Sequence, residues 1–275
     1  MILRAPAKLN LCLYLGPRRG DGLHELCSLT QSLTLSDRLV VEEAEADRVS
    51  CPRIDGPNLA ARALEGLRER GWSRSPLRIE IEKRIPVAAG LGGGSADAAA
   101  VLRLARDEVP GIDGLAAELG ADVPAQLEPG LALVRGAGER VEPLPPPSGY
   151  AVVLIPSAEG LLTADVYAEA DRLELGRDRA DLDPLGEPVR AAGSSPLDHV
   201  EVLVNDLQEA ALSLQPEIGD ALGALEAAGA ARALVTGSGP TAFGLFADVA
   251  LADRAAAALR PRYPKAVVTA PATYR

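Results

Sequence analysis

Between Pro86 and Ala96 the chain reads Pro-Val-Ala-Ala-Gly-Leu-Gly-Gly-Gly-Ser-Ala, four glycines ahead of an alanine-rich segment. The spacing predicts a helix beginning near Ser95. Glycine lets a backbone wrap closely around an anion, and the unpaired N–H groups of a first helical turn then face it. Such a loop suits phosphate, with a tight turn as the other reading. It is not a Walker A loop, because no G-x-x-x-x-G-K-[ST] run occurs in the chain. Its glycine spacing is also not that of a dinucleotide fingerprint.

Near the N-terminus, Leu9, Leu11, Leu13 and Leu15 alternate with Lys8, Asn10, Cys12 and Tyr14. Strand alternation predicts that the second set shares one face, with Lys8 and Asn10 projecting together, either as ordinary polar residues of an exposed strand face or as a lysine and an amide side by side in a cleft. Of 28 basic residues only Lys8, Lys83 and Lys265 are lysine. Lys8 therefore points to a need for a compact ammonium rather than a planar guanidinium. Lys83, beside Arg84 on a strand flank, reads as a solvated charge. Asp122, in Gly120-Ala-Asp-Val-Pro124, reads as a helix N-cap or as a general base near a lysine. Ser95 is an N-cap or a hydroxyl reaching a metal-bound phosphate, and Asp97 is explained by the helix dipole. Thr236-Gly-Ser-Gly-Pro-Thr241 reads as a glycine turn between strands whose amides can face a ligand.

These residues need elements to hold them. Strands are predicted near residues 2–15, 26–34, 38–43, 77–85 and 132–135, and helices near 59–70, 95–108 and 112–119. The run Leu144-Pro-Pro-Pro-Ser-Gly149 is stiff and extended, and divides a first domain, 1–147, from a second, 148–275. The second domain is predicted to hold strands near 150–155, 233–236, 241–246 and 266–270. Its predicted helices lie near 164–173, 207–214, 218–228 and 251–260. The Asp/Arg/Pro/Gly-rich stretch 173–195 reads as loop or short helix.

With 275 residues, 47% hydrophobic and only 3% aromatic, the chain suits helices packed on sheets. A net charge of −11 offers no basic field to recruit nucleic acid or a membrane surface. Cys12, Cys27 and Cys51 are irregularly spaced and read as reduced thiols, and two histidines are too few for a zinc site. The apolar run 9–15 is too short for a signal core, so a cytoplasmic protein is expected.

Four segments together carry a resemblance. They are Ala5-Pro-Ala-Lys-Leu-Asn-Leu-Cys-Leu13, Arg19-Gly-Asp-Gly-Leu-His-Glu-Leu26, the 86–96 loop with Gly120–Pro124, and Gly237-Ser-Gly-Pro-Thr-Ala-Phe243. In this order they resemble the GHMP kinases, the superfamily of galactokinase, homoserine kinase and mevalonate kinase. The match is strongest to members that phosphorylate a cytidine-diphosphate sugar alcohol. The resemblance implies an α+β, two-domain fold with the active site in the interdomain cleft, ATP and Mg²⁺ as cofactors, small-molecule substrates, and a monomer or homodimer. It implies a catalytic pair, Lys8 and Asp122, in which the aspartate takes the hydroxyl proton and the lysine steadies the forming alkoxide and the γ-phosphate.

By the same resemblance, Pro86, Val87, Ala88, Ala89, Gly90, Leu91, Gly92, Gly93, Gly94, Ser95 and Ala96 hold the nucleotide phosphates, Asn58 lies toward the adenosine, and Ser95 is the candidate metal ligand. Asn10, His24, Thr163 and Tyr167 correspond to substrate contacts. One departure stands out: Leu23 occupies the position of an aromatic that stacks on the cytosine, leaving Tyr167 as the stacking partner. A GHMP kinase with another alcohol acceptor, and a nucleotide-binding module without catalysis, are the competing readings.

Overall fold

The computed structural model describes residues 1–52, 58–157 and 159–272. The first half runs β1 (Ile2–Arg18), β2 (His24–Glu43), β3 (Arg48–Ser50), α1 (Leu59–Glu69), β4 (Leu77–Glu82), α2 (Gly93–Leu102), α3 (Ile112–Leu119), β5 (Leu131–Gly136) and β6 (Arg140–Leu144). β1 and β2 form a long antiparallel ribbon. On the other edge of β2, residues Leu26–Gln31 pair with β5 and residues Arg38–Glu43 pair with β4. β3 and β6 flank the sheet.

The two strands expected at 26–34 and 38–43 are thus one continuous strand. The polar Ser36-Asp37 pair does not end it, because Asp37 is buried with its carboxylate engaged. Lys83 Nζ and the backbone N–H groups of Arg84 and Ile85 all donate to it.

β4 alternates as its sequence suggests, with Leu77, Ile79 and Ile81 inward and Arg78, Glu80 and Glu82 outward. Its inner face packs with Leu39 and Val41 against α1, α2 and α3. α2 is buried at every position from Ala96 to Leu102, and with all of these but Asp97 apolar it belongs inside a core. It is shorter than expected: a 3-10 turn, Arg103–Ala105, follows it directly.

The second half runs β7 (Ala151–Ile155), α4 (Thr163–Arg172), α5 (Arg179–Leu182), α6 (Gly186–Ser194), α7 (Gln208–Leu214), α8 (Glu217–Ala227), β8 (Arg232–Val235), β9 (Ala242–Phe246), α9 (Val249–Leu259) and β10 (Val267–Thr269). Its sheet has the order β10-β7-β9-β8, antiparallel throughout. β7 is buried on both faces, as an uninterrupted apolar run requires. Ala151, Val153 and Ile155 meet the helices, while Val152 and Leu154 join Leu9, Leu11, Leu29 and Phe243 in a core between the sheets.

The stretch expected to be loop or short helix contains α5 and α6. α6 packs on β2 and β5 and buries Val189 and Ala192, while Arg190 pairs with Glu142 of β6. Its many polar residues hid that apolar stripe. The expected α+β class is the one observed.

Candidate active site

The loop after β4 enters α2 through left-handed backbone. Gly90 and Gly92 have φ of 73° and 66°, and Ala88 also lies in this region at 55°. A Cβ on Gly90 would lie 2.3 Å from the Gly239 carbonyl oxygen, so the loop packs against the glycine turn between β8 and β9. Gly92, not Ser95, is the N-cap, and it supplies no side-chain bond. The first backbone bond of the helix runs from the Ala96 N–H to the Gly92 carbonyl, 2.8 Å. The N–H groups before it are open to an anion. Pro86 to Ser95 line a cavity here together with Leu59 and Lys83. Ala96 lies beneath it in the core, and Asn58 caps α1 by accepting from the Ala60 N–H at 2.9 Å.

β1 carries a bulge. Asn10 pairs with Thr30 but Cys12 pairs with Leu29, so Leu11 is the extra residue and the faces exchange beyond it. The expected common face of Lys8, Asn10, Cys12 and Tyr14 is corrected accordingly. Lys8 and Asn10 line a cavity with Leu13, while Cys12 and Tyr14 turn into the core with Leu9 and Leu11. Burial pushes the Cys12 thiol up to about 12, which removes it as a nucleophile at neutral pH.

Lys8 Nζ donates to Asn10 Oδ1 at 2.5 Å and lies 3.6 Å from Asp122 Oδ2. The Asn10 amide in turn donates to Ser28 Oγ at 2.8 Å and Thr30 Oγ1 at 3.2 Å. A Cβ on Gly92 would meet Lys8 Cγ at 2.7 Å, and one on Gly237 would meet Lys8 Nζ at 3.2 Å. The ammonium is seated on all these sides. Asp122 caps no helix, since Val123 precedes the Pro124–Gln126 turn, and its side chain is 48% exposed at the cavity wall.

This cavity, of about 300 Å³, shares Gly90 and Gly92 with the loop cavity. On its far side it shares Leu26, Ala121, Ala137, Thr163 and Tyr167 with a third cavity of about 520 Å³. There His24 and Tyr167 sit with ring centroids 5.3 Å apart, and Leu23 is 53% exposed at the wall. Thr163 Oγ1 lies 3.0 Å from Ser238 Oγ. His24 Nε2 lies 2.8 Å from Asp171 Oδ1. The glycine loop, the Lys8–Asp122 pair and the His24–Tyr167 pair thus stand in one continuous row. An apolar cavity lined by Ile155, Ile218 and Tyr263 shares no residue with the three.

Residues 58–128 match the model of the GHMP kinases N terminal domain, and residues 178–265 match that of the GHMP kinases C terminal domain. The 4-diphosphocytidyl-2-C-methyl-D-erythritol kinase of Anaeromyxobacter dehalogenans strain 2CP-C is 42% identical, over 95% of this chain and 86% of the relative. That of Rhodococcus jostii strain RHA1 is 41% identical, over 94% and 88%. The chain belongs to the GHMP kinases. A crystal structure of 4-(cytidine 5'-diphospho)-2C-methyl-D-erythritol kinase superposes with a TM-score of 0.79 and 36% identity, over 99% of this chain and all of that one.

As a GHMP kinase the chain is an ATP-dependent phosphotransferase. The surroundings of three residues of this GHMP kinase, Lys83, Asp97 and Asp171, are not legible in the sequence. Lys83 is not solvated but buried, donating to Asp37 and, at 2.8 Å, to Asp97 Oδ2. Burial opposes its charge, yet the two carboxylates hold its pKa above the ordinary lysine value. Asp97, beyond its place near the helix start, is pushed up to about 7 by burial, with Asp37 adding to the rise and Lys83 opposing it. The rarity of lysine was the signal available for Lys83. Asp171 had none, because its partner is far away in the chain.

Proposed function

We propose that this GHMP kinase transfers the γ-phosphoryl group of ATP to the 2-hydroxyl of 4-diphosphocytidyl-2-C-methyl-D-erythritol, giving the 2-phosphate and ADP in the non-mevalonate route to isoprenoid precursors. The observation that carries the reading is the row of three cavities with Lys8 and Asp122 in the middle one. That row supports a triphosphate at the glycine-loop end and a base at the His24–Tyr167 end.

ATP binds with its phosphates on the 86–95 loop, held by backbone N–H groups and the start of α2 instead of a Walker lysine. The acceptor hydroxyl lies between Asp122 and the γ-phosphorus. As its oxygen attacks, Asp122 takes the proton, the bond from the γ-phosphorus to the bridging oxygen breaks, and ADP leaves with that electron pair. Lys8, held by Asn10, carries the positive charge that balances the forming alkoxide and the γ-phosphate oxygens.

Among the described residues no three of His, Cys, Asp or Glu cluster as a metal-binding set. That suits a Mg²⁺ ion held mainly by nucleotide phosphates, with the half-buried Ser95 hydroxyl at the loop cavity as its protein ligand. Bound there, the ion would neutralise phosphate charge. The cytidine lies against Tyr167, with His24 at its edge and Thr163 lining the way to Lys8.

No described helix is long and apolar enough to cross a membrane. We assign the enzyme to the cytoplasm as a monomer or homodimer without nucleic-acid partners, with domains dividing near residues 147 and 148.

The test is steady-state ADP release by the purified chain, with phosphorus NMR of the product. Turnover with a new phosphomonoester on the 2-oxygen is expected. Turnover on another alcohol, with none on this substrate, would move the enzyme to a different acceptor. ATP binding without turnover on any alcohol would remove the catalytic reading.

A further inference from the structure

The base end of the cleft holds a hydrogen bond that the reaction does not use. His24 lies at the start of β2 with its side chain 7% exposed, and its Nε2 faces Asp171 Oδ1, from the end of α4, at 2.8 Å. An ionised carboxylate only accepts, so the proton of this bond sits on Nε2. In the neutral ring Nδ1 is then a bare acceptor, and among the described residues no hydrogen-bond partner of Nδ1 is found. The Tyr167 ring, tilted 36° to the imidazole, packs beside it and limits how the imidazole can turn. Leu23, Leu26, Ala137, Ala164 and Ala168 make much of the cavity wall apolar, and the polar Arg18 and Thr163 on it are engaged, Arg18 Nε donating to the Gly22 carbonyl and Thr163 Oγ1 lying against Ser238 Oγ. A polar atom of fixed character in such a wall has a say in which ligand edge is accepted.

We infer that Asp171 is a positioning residue that locks His24 as an Nδ1 acceptor, so that the pocket selects a base carrying an exocyclic amino group and rejects one carrying a carbonyl there. The inference rests on the reading of this cavity as the nucleoside end of the acceptor. The amino group of cytosine presents an N–H to the Nδ1 lone pair. The 4-oxygen of uracil presents a second lone pair, and both acceptors are left unsatisfied in a half-closed site. His24 makes the contact, and Asp171 acts through it.

Two measurements test this. Nitrogen-15 imidazole spectra of the resting protein are simple because the chain has two histidines, His24 and His199. His199→Gln assigns the remaining ring. A protected proton on Nε2 and none on Nδ1 is expected, with the protection lost in Asp171→Ala and retained in large part in Asp171→Asn, whose amide oxygen still accepts. A proton resting on Nδ1, or a ring unaffected by Asp171→Ala, would overturn the inference.

The second measurement is kcat/KM for the cytidine- and uridine-diphosphate forms of the same sugar alcohol. Asp171→Ala should reduce the cytidine preference about tenfold, the scale of one lost oriented hydrogen bond, through KM of the cytidine form, while KM for ATP holds. An unchanged ratio in Asp171→Ala overturns the inference and leaves the reaction assignment standing. If the parent does not turn over the cytidine form at all, the assignment falls and takes this inference with it.

Discussion

The Lys8 backbone N–H donates to the Leu91 carbonyl at 2.9 Å, so the strand bearing the ammonium and the glycine loop ahead of α2 are hydrogen-bonded to each other. Because Gly92 also packs on the Lys8 side chain, the two parts cannot shift independently. Holding reacting groups in a fixed relation is a large part of what a phosphotransferase contributes.

Asp122→Asn is expected to lower kcat by about 10²–10⁴, the usual cost of losing a general base. ATP affinity and thermal stability should barely change, since the side chain caps no helix and is half exposed. Single-turnover kinetics beside a nucleotide titration checks this. A kcat within threefold of the parent would mean that another group takes the proton.

Lys8→Arg should be nearly as damaging as Lys8→Ala. The ammonium sits between Asn10 Oδ1, Gly92 and Gly237, where a planar fork has no room. Comparing kcat of the two variants decides it, and substantial activity in the arginine variant would mean that charge alone suffices.

Gly92→Ala tests the loop at the position where the backbone itself demands glycine. Its φ is 66°, and the added Cβ would press on Lys8 Cγ. Both ATP affinity and kcat should fall, on top of roughly 1–2 kcal/mol of left-handed strain. By contrast Gly93 lies in the first helical turn without left-handed backbone, so its substitution is limited by contacts with Lys83 and Ile85. Calorimetric ATP binding to Gly92→Ala that matches the parent would show the loop to be merely a turn.

Tyr167→Ala should raise KM for the cytidine substrate about tenfold, and Leu23→Tyr should lower it. Stacking on a base is worth roughly 1–3 kcal/mol, and the exposed Leu23 supplies no aromatic face. KM for ATP serves as the internal control and should hold in both. If Leu23→Tyr is harmful, the pocket is shaped around leucine.

Asp97 gives a pH prediction. The folded chain holds its proton up to about pH 7, whereas the unfolded chain releases it near pH 4. Between these values the folded state is the more protonated, so this group's contribution to stability falls as pH rises and is lowest above 7. Asp97→Asn should flatten that part of the curve and leave the variant at least as stable as the parent at pH 8. Thermal unfolding of both proteins from pH 5 to 8 measures it, and parallel curves would place the proton elsewhere.

The local features were legible without coordinates because each is a property of neighbouring residues. Alternation placed β4, the uninterrupted apolar run placed β7, and the glycines ahead of an alanine-rich segment marked the entrance to α2. The resemblance singled out Lys8, Asp122, His24 and Tyr167 by their motifs. What lay beyond reach depended on partners distant in the chain. Leu11 reads as one more alternating leucine until β2 pairs across from it and makes it a bulge, which exchanges the faces on which Cys12 and Tyr14 lie. Residues 26–34 and 38–43 read as two strands until Lys83 and the N–H groups of Arg84 and Ile85 engage the Asp37 carboxylate between them and β2 runs on as one. Asp171 reads as an ordinary helix residue until α4 brings it against His24. A buried charge or a ring tautomer is decided by which groups surround it, and only packing brings those groups together.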